Sequence, residues 1–301
     1  MKALSLICSA TGQQHLAIMD SEVRLLTELQ VSDLGEFLYS IPENQSIEQS
    51  WAKLESAYQS SEQALATVPG GYQDKSGALW TTAAPLRKPA KIAAVGLNYR
   101  DHALEQGKEP PANPMFFSKA RNCVVADKEA IWLPPGHSEI DVEVELVVVI
   151  GRNCFEVTPA VANDYIFGYT IGNDVTDRKA QRDDKQFYRG KSFATFAPLG
   201  PWVIRPQDFQ IANQSVQLWR NEHLQQSSTL DRLIFKIPDL VSRLSQVYPL
   251  EPGELIFSGT PEGVGAHRKP PVFLGAGDSI RCSIEGIGVL ENPVIDRPTS
   301  R

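Results

Sequence analysis

The chain has 301 residues, 42% hydrophobic and 22% charged, the composition of a folded globular protein with room for one large core and a small additional domain. Its formal charge of −7, from 36 acidic and 29 basic residues without a dense basic run, argues against nucleic acid and anionic membrane as partners. The longest aliphatic run, 146–150, falls far short of the roughly 20 residues that span a bilayer. Cys8, Cys123, Cys154 and Cys282 are scattered with no Cys-x-x-Cys pair, so they read as reduced packing residues.

In chain order, residues 1–10 are too short and too serine-broken for a signal peptide and read as a first strand, so a cytoplasmic location is expected. Ser46-Ile47-Glu48-Gln49 has capping-box spacing and opens an amphipathic helix with Ile47, Trp51, Leu54 and Tyr58 on one face. Pro85-Leu86-Arg87-Lys88-Pro89 disfavours regular structure and predicts a boundary between a small N-terminal α/β domain, 1–85, and a second domain, 90–301. The second part carries short β-like runs at 92–95, 142–150, 167–171, 201–204, 254–257 and 279–283. Two helices interrupt them, one over 99–106 and one opened by Pro238 at its first position, with Leu240, Val241 and Leu244 inward. The fold class expected is α+β, mainly β, without strand–helix alternation of the Rossmann kind.

Strand alternation places Asp141, Glu143 and Glu145 on one face and Val142, Val144 and Leu146 on the other. The acids lead into 147–150, apolar on both faces and so predicted buried. Carboxylates crowded beside a core repel one another and are costly to desolvate unless paired or bound to a cation, which a hard divalent ion would resolve. Oxygen-only ligation suits Mg²⁺, with Mn²⁺ or Ca²⁺ as competitors. Taken alone, the acids fit a solvated strand face better than a metal site.

Further polar clusters follow apolar strand residues. Gly172-Asn173-Asp174 delivers an acid at a strand end, followed by Arg178 and Gln181 at helical spacing. Gly190-Lys191-Ser192-Phe193 offers one lysine in an apolar segment and lacks the glycine a phosphate-binding loop needs at position 185, which is Lys185. His102 and Glu105, at i and i+3, would face each other on a helix and act as a base, with Gly107 and nearby prolines as a pliable exit. Ser258-Gly259-Thr260-Pro261 is a tight loop able to lay Thr260 against a ligand. Taken alone, the Asp174 cluster also reads as an Asx turn with a surface arginine, Lys191 as a lysine snorkelling to solvent, and the His102–Glu105 pair more readily as an exposed ion pair.

Taken in order, these motifs, with Gly96-Leu97-Asn98-Tyr99, Pro198-Leu199-Gly200-Pro201-Trp202 and Leu250-Glu251-Pro252-Gly253, resemble the fumarylacetoacetate hydrolase family from about Lys91 to Val294. The resemblance implies a mixed β-roll core, a homodimer, and Mg²⁺ or Mn²⁺ on Glu143, Glu145 and Asp174, with Asp141 outside the set. It also implies a lid pair at His102 and Glu105, an active-site lysine at Lys191, and substrate contacts at Tyr99, Arg178, Gln181 and Thr260. The expected reaction is hydrolytic cleavage of a carbon–carbon bond in a 2,4-dioxo acid, giving a pyruvate-type product and a carboxylic acid. The rivals are an oxo-acid decarboxylase, lyase or isomerase at the same metal, and a silent protein that binds dicarbonyl acids.

Overall fold

The computed structural model describes residues 1–299. Five α-helices lie within them, α1 (Leu34–Tyr39), α2 (Ile47–Ser60), α3 (Arg100–Glu105), α4 (Arg178–Asp184) and α5 (Ile237–Ser245); strands and short 3-10 turns make up the remaining regular structure. The architecture is α+β and mainly β, as expected. Its first six strands, from Lys2–Cys8 to Leu79–Ala83, form an antiparallel ring, because Lys2–Cys8 pairs with both Gln14–Met19 and Leu79–Ala83. Lys2 and Ala3 also pair with Ile204 and Val203, which joins the ring to a larger sheet. That sheet runs Ala197–Ile204, Ile166–Asn173, Val144–Ile150, Leu255–Phe257, Ile92–Gly96, Met115–Lys119. A second sheet of five strands closes over it, with Ser215–Arg220, Ser279–Ile284 and Gly288–Asp296 contributing to one shared core.

The central strand Val144–Ile150 is buried along its whole length. Val144, Leu146, Val148 and Ile150 enter the core between the sheets, while Val147 and Val149 enter a second core with Phe37, Trp51, Leu54 and Tyr58. A strand covered on both faces has no solvent-facing side, which is why, apart from Glu145 at its site end, the run is aliphatic. Helix α2 supplies that second cover. The Ser46 hydroxyl accepts from Gln49 N at 3.1 Å and the Gln49 side chain accepts from Ser46 N at 2.8 Å, the reciprocal cap its sequence predicts. Trp51 stacks on Phe167 at 4.6 Å and donates its indole N–H to the Phe167 carbonyl at 2.9 Å.

Three local expectations are corrected. The strand expected over 142–150 starts at Val144; Ile140–Asp141 pairs separately with Thr176–Asp177, because Asp141 is drawn toward the Gly265 and Ala266 amides. The helix expected over 99–106 is shorter, with Tyr99 as its extended N-cap. Pro238 takes the second helical position of α5, after Ile237, since Lys236 is the N-cap. Pro85–Pro89 carries neither helix nor strand, yet the Pro85 carbonyl accepts from Leu34 N at 3.2 Å and Ser5 Oγ at 3.3 Å, so the segment is anchored. All four cysteines are free and buried. Among the described residues no helix is long and apolar enough to cross a membrane.

Trp51→Ala removes a buried aromatic and orphans the Phe167 carbonyl. It is expected to cost about 3–5 kcal/mol in chemical denaturation, and a cost below about 1 kcal/mol would show that α2 does not brace the central strand.

Candidate active site

Two antiparallel neighbours build the floor of the site. Glu145 stands opposite Gly172 in the pairing of Val144–Ile150 with Ile166–Asn173. Just beyond the strand ends, Asp174 N donates to the Glu143 carbonyl at 2.8 Å and Glu143 N donates to Asn173 Oδ1 at 2.9 Å. This places Glu143, Glu145 and Asp174 together, each buried, with one carboxylate oxygen from each lying within 4.8 Å of the others. Gly172 has no room for a side chain: a Cβ there would lie 2.4 Å from the Phe257 ring and 2.6 Å from Val147 Cγ2.

Cations surround the three acids. Lys191 Nζ donates to Glu143 Oε2 at 2.7 Å and Asp174 Oδ2 at 2.6 Å. Lys119, fully buried at the end of Met115–Lys119, donates to Asp174 Oδ1 and to the Lys191 carbonyl, each at 2.5 Å. Arg178 Nη2 reaches Glu143 Oε1 at 2.6 Å, and Arg178 Nε reaches Asp141 Oδ2 at 2.9 Å. Among the described residues the Glu145 carboxylate accepts one hydrogen bond, from Gly259 N at 2.7 Å.

The acids are therefore unequal. Burial alone would raise the Glu143 carboxyl, but Lys191 and Arg178 hold it well below its ordinary range. Burial, with Asp174 and Glu143 adding repulsion, pushes Glu145 far above its own. Burial disfavours the Lys191 ammonium, and Asp174 and Glu143 more than offset this, keeping it charged. Four carboxylates, counting Asp141, face three cations in Lys119, Lys191 and Arg178. Glu145, oxygen-only and short of a positive partner, completes a donor set that fits a hard divalent cation.

A cavity of about 590 Å³ opens beside these acids, lined by Glu143, Glu145, Lys191, Arg178, Gln181, Thr260 and His102. His102 Nδ1 lies 2.8 Å from Glu105 Oε2, and Glu105 Oε1 accepts from Gly263 N at 2.9 Å. Burial alone would raise the Glu105 carboxyl, but the His102 and Gly263 hydrogen bonds keep it below its usual value. Arg178 and Gln181 share one face of α4, 3.4 Å apart at their closest polar atoms. Asp177 caps that helix by accepting from Ala180 N at 2.9 Å, and is itself held by His137.

Two expected contacts differ. Tyr99 does not line the cavity: its backbone bridges to Leu233 and its fully buried side chain joins the inter-sheet core. Thr260 does line it, but its hydroxyl donates to the Val144 carbonyl and accepts from Gln226, both at 2.9 Å, so it pins the loop to the central strand. Lys119, Gln106 and His267 are site residues that sequence reasoning missed. His267 faces His102 at 6.0 Å between ring centroids. A lysine closing the apolar strand Met115–Lys119 is the one signal that pointed to any of them.

A buried carboxylate cage and a histidine–glutamate pair at one cavity define an enzyme site able to hold a cation. The family model described as fumarylacetoacetate (FAA) hydrolase C-terminal matches residues 91–295, and the chain belongs to that family. Over 217 residues it is 41% identical to a mitochondrial oxaloacetate tautomerase of Rattus norvegicus, covering 71% of this chain and 69% of the relative. It is 44% identical over 223 residues to a fumarylacetoacetate hydrolase domain-containing protein 2 homolog of Dictyostelium discoideum, covering 70% and 73%. Among solved structures, the fumarylacetoacetate hydrolase of Exiguobacterium antarcticum superposes with a TM-score of 0.81 at 29% identity, covering 99% of this chain and 100% of that one. The 5-carboxymethyl-2-hydroxymuconate delta-isomerase of Mycobacterium smegmatis gives a TM-score of 0.73 at 30% identity, with the same coverage.

Glu145→Gln is expected to weaken Mn²⁺ binding by more than the roughly 10–100-fold typical of residues one step removed from a metal. Calorimetric titration reads this, and unchanged affinity would remove Glu145 from the donor set. Because Glu145 holds its proton above the usual carboxylate range, metal uptake should release a proton and strengthen as pH rises. Titration in buffers of different ionisation enthalpy measures that release.

Proposed function

We propose that this protein is a divalent-metal-dependent isomerase that interconverts the keto and enol forms of a 2-oxo acid of the oxaloacetate type. The observation that carries the reading is that His102, backed by Glu105, lines the same cavity as Lys191 and the carboxylate cage. A base and a proton donor that line one cavity can act on one small molecule. The 41% identity to a relative named oxaloacetate tautomerase supports isomerisation over the hydrolysis expected from the sequence.

In this reading Glu143, Glu145 and Asp174 hold Mg²⁺ or, in its place, Mn²⁺. The bound cation supplies Lewis-acid stabilisation of the negative charge that develops on the 2-oxo oxygen. Glu105 accepts the Nδ1 proton of His102, leaving the Nε2 lone pair to take a proton from C3. Lys191 donates to the 2-oxo oxygen. Arg178, whose Nη1 is committed to Gln181 by no more than a 3.4 Å contact, and Gln181 orient the substrate carboxylate. One proton leaves carbon and one arrives on oxygen, so no water is consumed.

A second reading, hydrolysis of a 2,4-dioxo acid, is favoured by cavity size: about 590 Å³ exceeds the needs of a four-carbon acid and leaves space for an acyl arm and a water molecule. There the same His102–Glu105 pair would activate water. Incorporation of oxygen from labelled water into a carboxylic acid product marks that reaction and is absent from the first.

With Mg²⁺ present, the protein is expected to accelerate deuterium exchange at C3 of oxaloacetate, read by NMR. Glu105→Gln should slow that exchange by about 10²–10⁴-fold while Mn²⁺ affinity is retained. Exchange at the parent rate in the variant would dismiss the pair as the base.

A further inference from the structure

One wall of the cavity carries a hydrogen-bond chain whose polarity is forced. The Lys108 ammonium has donors alone, so the Gln106 atom it meets at 2.7 Å is the carbonyl Oε1. Gln106 therefore presents its amide Nε2, a donor, to His102 Nε2 at 2.9 Å, and that ring nitrogen must accept. The ring proton then resides on Nδ1 and is donated to Glu105 Oε2 at 2.8 Å, while Glu105 Oε1 is held by Gly263 N. The chain fixes His102 in the tautomer a base needs. It also engages the very lone pair that the base would use.

The outer end of this chain meets the cavity mouth. Lys108 is exposed, lines the cavity, and pairs with no carboxylate among the described residues. Lys185, at the C-terminal end of α4, lines the same mouth, and its ammonium has no partner among the described residues. Arg182 is already neutralised by Glu139 at 2.7 Å. The floor is thus rich in carboxylates, while the mouth presents two uncompensated ammonium groups.

We infer that Lys108 and Gln106 form a latch on His102 that opens when a second carboxylate of the substrate takes Lys108. The inference rests on the oxo-acid reading above and adds the group that reads the far end of the substrate. A carboxylate outcompetes a neutral amide carbonyl for an ammonium, since charge-assisted hydrogen bonds are about twice as strong. Gly107, between the two latch residues, has a φ of +63° and open space around it, so Lys108 has room to move away from Gln106. Once Oε1 loses its donor, nothing orients the amide against His102, and the Nε2 lone pair faces the substrate. A monocarboxylic oxo-acid would occupy the floor and leave the latch closed. Lys108 is then a specificity-determining residue, and Gln106 a positioning residue acting through His102.

The test uses 2-oxoglutarate and 2-oxopentanoate, acids of equal chain length that differ by the second carboxylate, titrated calorimetrically into the Mg²⁺-loaded protein. The parent is expected to prefer the diacid by about two- to fivefold, the size of one exposed charge pair. Lys108→Met should bring that ratio toward one, whereas Gln106→Leu should preserve it. In ¹⁵N NMR the diacid should shift His102 Nε2 and the monoacid should not, while Gln106→Leu should show the shifted resonance before any ligand is added. No diacid preference in the parent, an undiminished preference in Lys108→Met, or a His102 response equal for both acids would each overturn the latch. Oxaloacetate exchange measured in parallel separates the two claims. Absent exchange with an intact Lys108-dependent preference discards the isomerase reading alone. Normal exchange with a preference indifferent to Lys108 discards the latch alone.

Discussion

Glu143, Glu145 and Asp174 are buried beside a strand whose next residues are aliphatic on both faces, and much of the surrounding structure answers that one electrostatic demand. Removing a carboxylate from water costs several kcal/mol unless cations and hydrogen-bond donors replace the lost hydration. Here Lys119 and Lys191 share Asp174, Lys191 and Arg178 share Glu143, and a single backbone amide meets Glu145. Each of those donors comes from a different part of the chain. The pairing in register of Val144–Ile150 with Ile166–Asn173 brings two of the acids to adjoining strand ends, and the Lys119 ammonium ties the Lys191 segment to the second of them.

The sequence made the acids and the apolar strand visible because both depend on local alternation. The capping box at Ser46 and the buried face of α2 were legible for the same reason. What stayed hidden depends on contacts across long sequence separations. Asp141 has the right parity to join Glu143 and Glu145, yet amides of Gly265 and Ala266 bend it out of the strand and Arg178 completes its bonds. Tyr99 sits beside His102 in the chain, but its backbone bridge to Leu233 turns the ring into the inter-sheet core. Lys119 carries no motif of its own, and it is a site residue because its strand ends beside Asp174.

The N-terminal ring affects the site indirectly. Helix α2 covers the opposite face of the central strand, and Trp51 reaches through to the carbonyl of Phe167, on the strand that ends at Asn173. Lys2 and Ala3 extend the same sheet at its Ala197–Ile204 edge. The floor of the site is therefore held from below by apolar packing and from the side by backbone hydrogen bonds. Shifting the acids would mean disturbing both.

The His102 wall is built differently. His102 and Glu105 lie on a helix of six residues, tied down by the Gly263 amide and followed directly by Gln106, Gly107 and Lys108. A floor set by sheet register resists change, whereas a wall set by one short helix and its exit loop can be altered by few substitutions. Solved structures with this fold carry the names of isomerases and of hydrolases alike. A carboxylate cage that can hold a cation would serve either reaction, so the choice would fall to what the His102 wall and the cations near it offer a substrate.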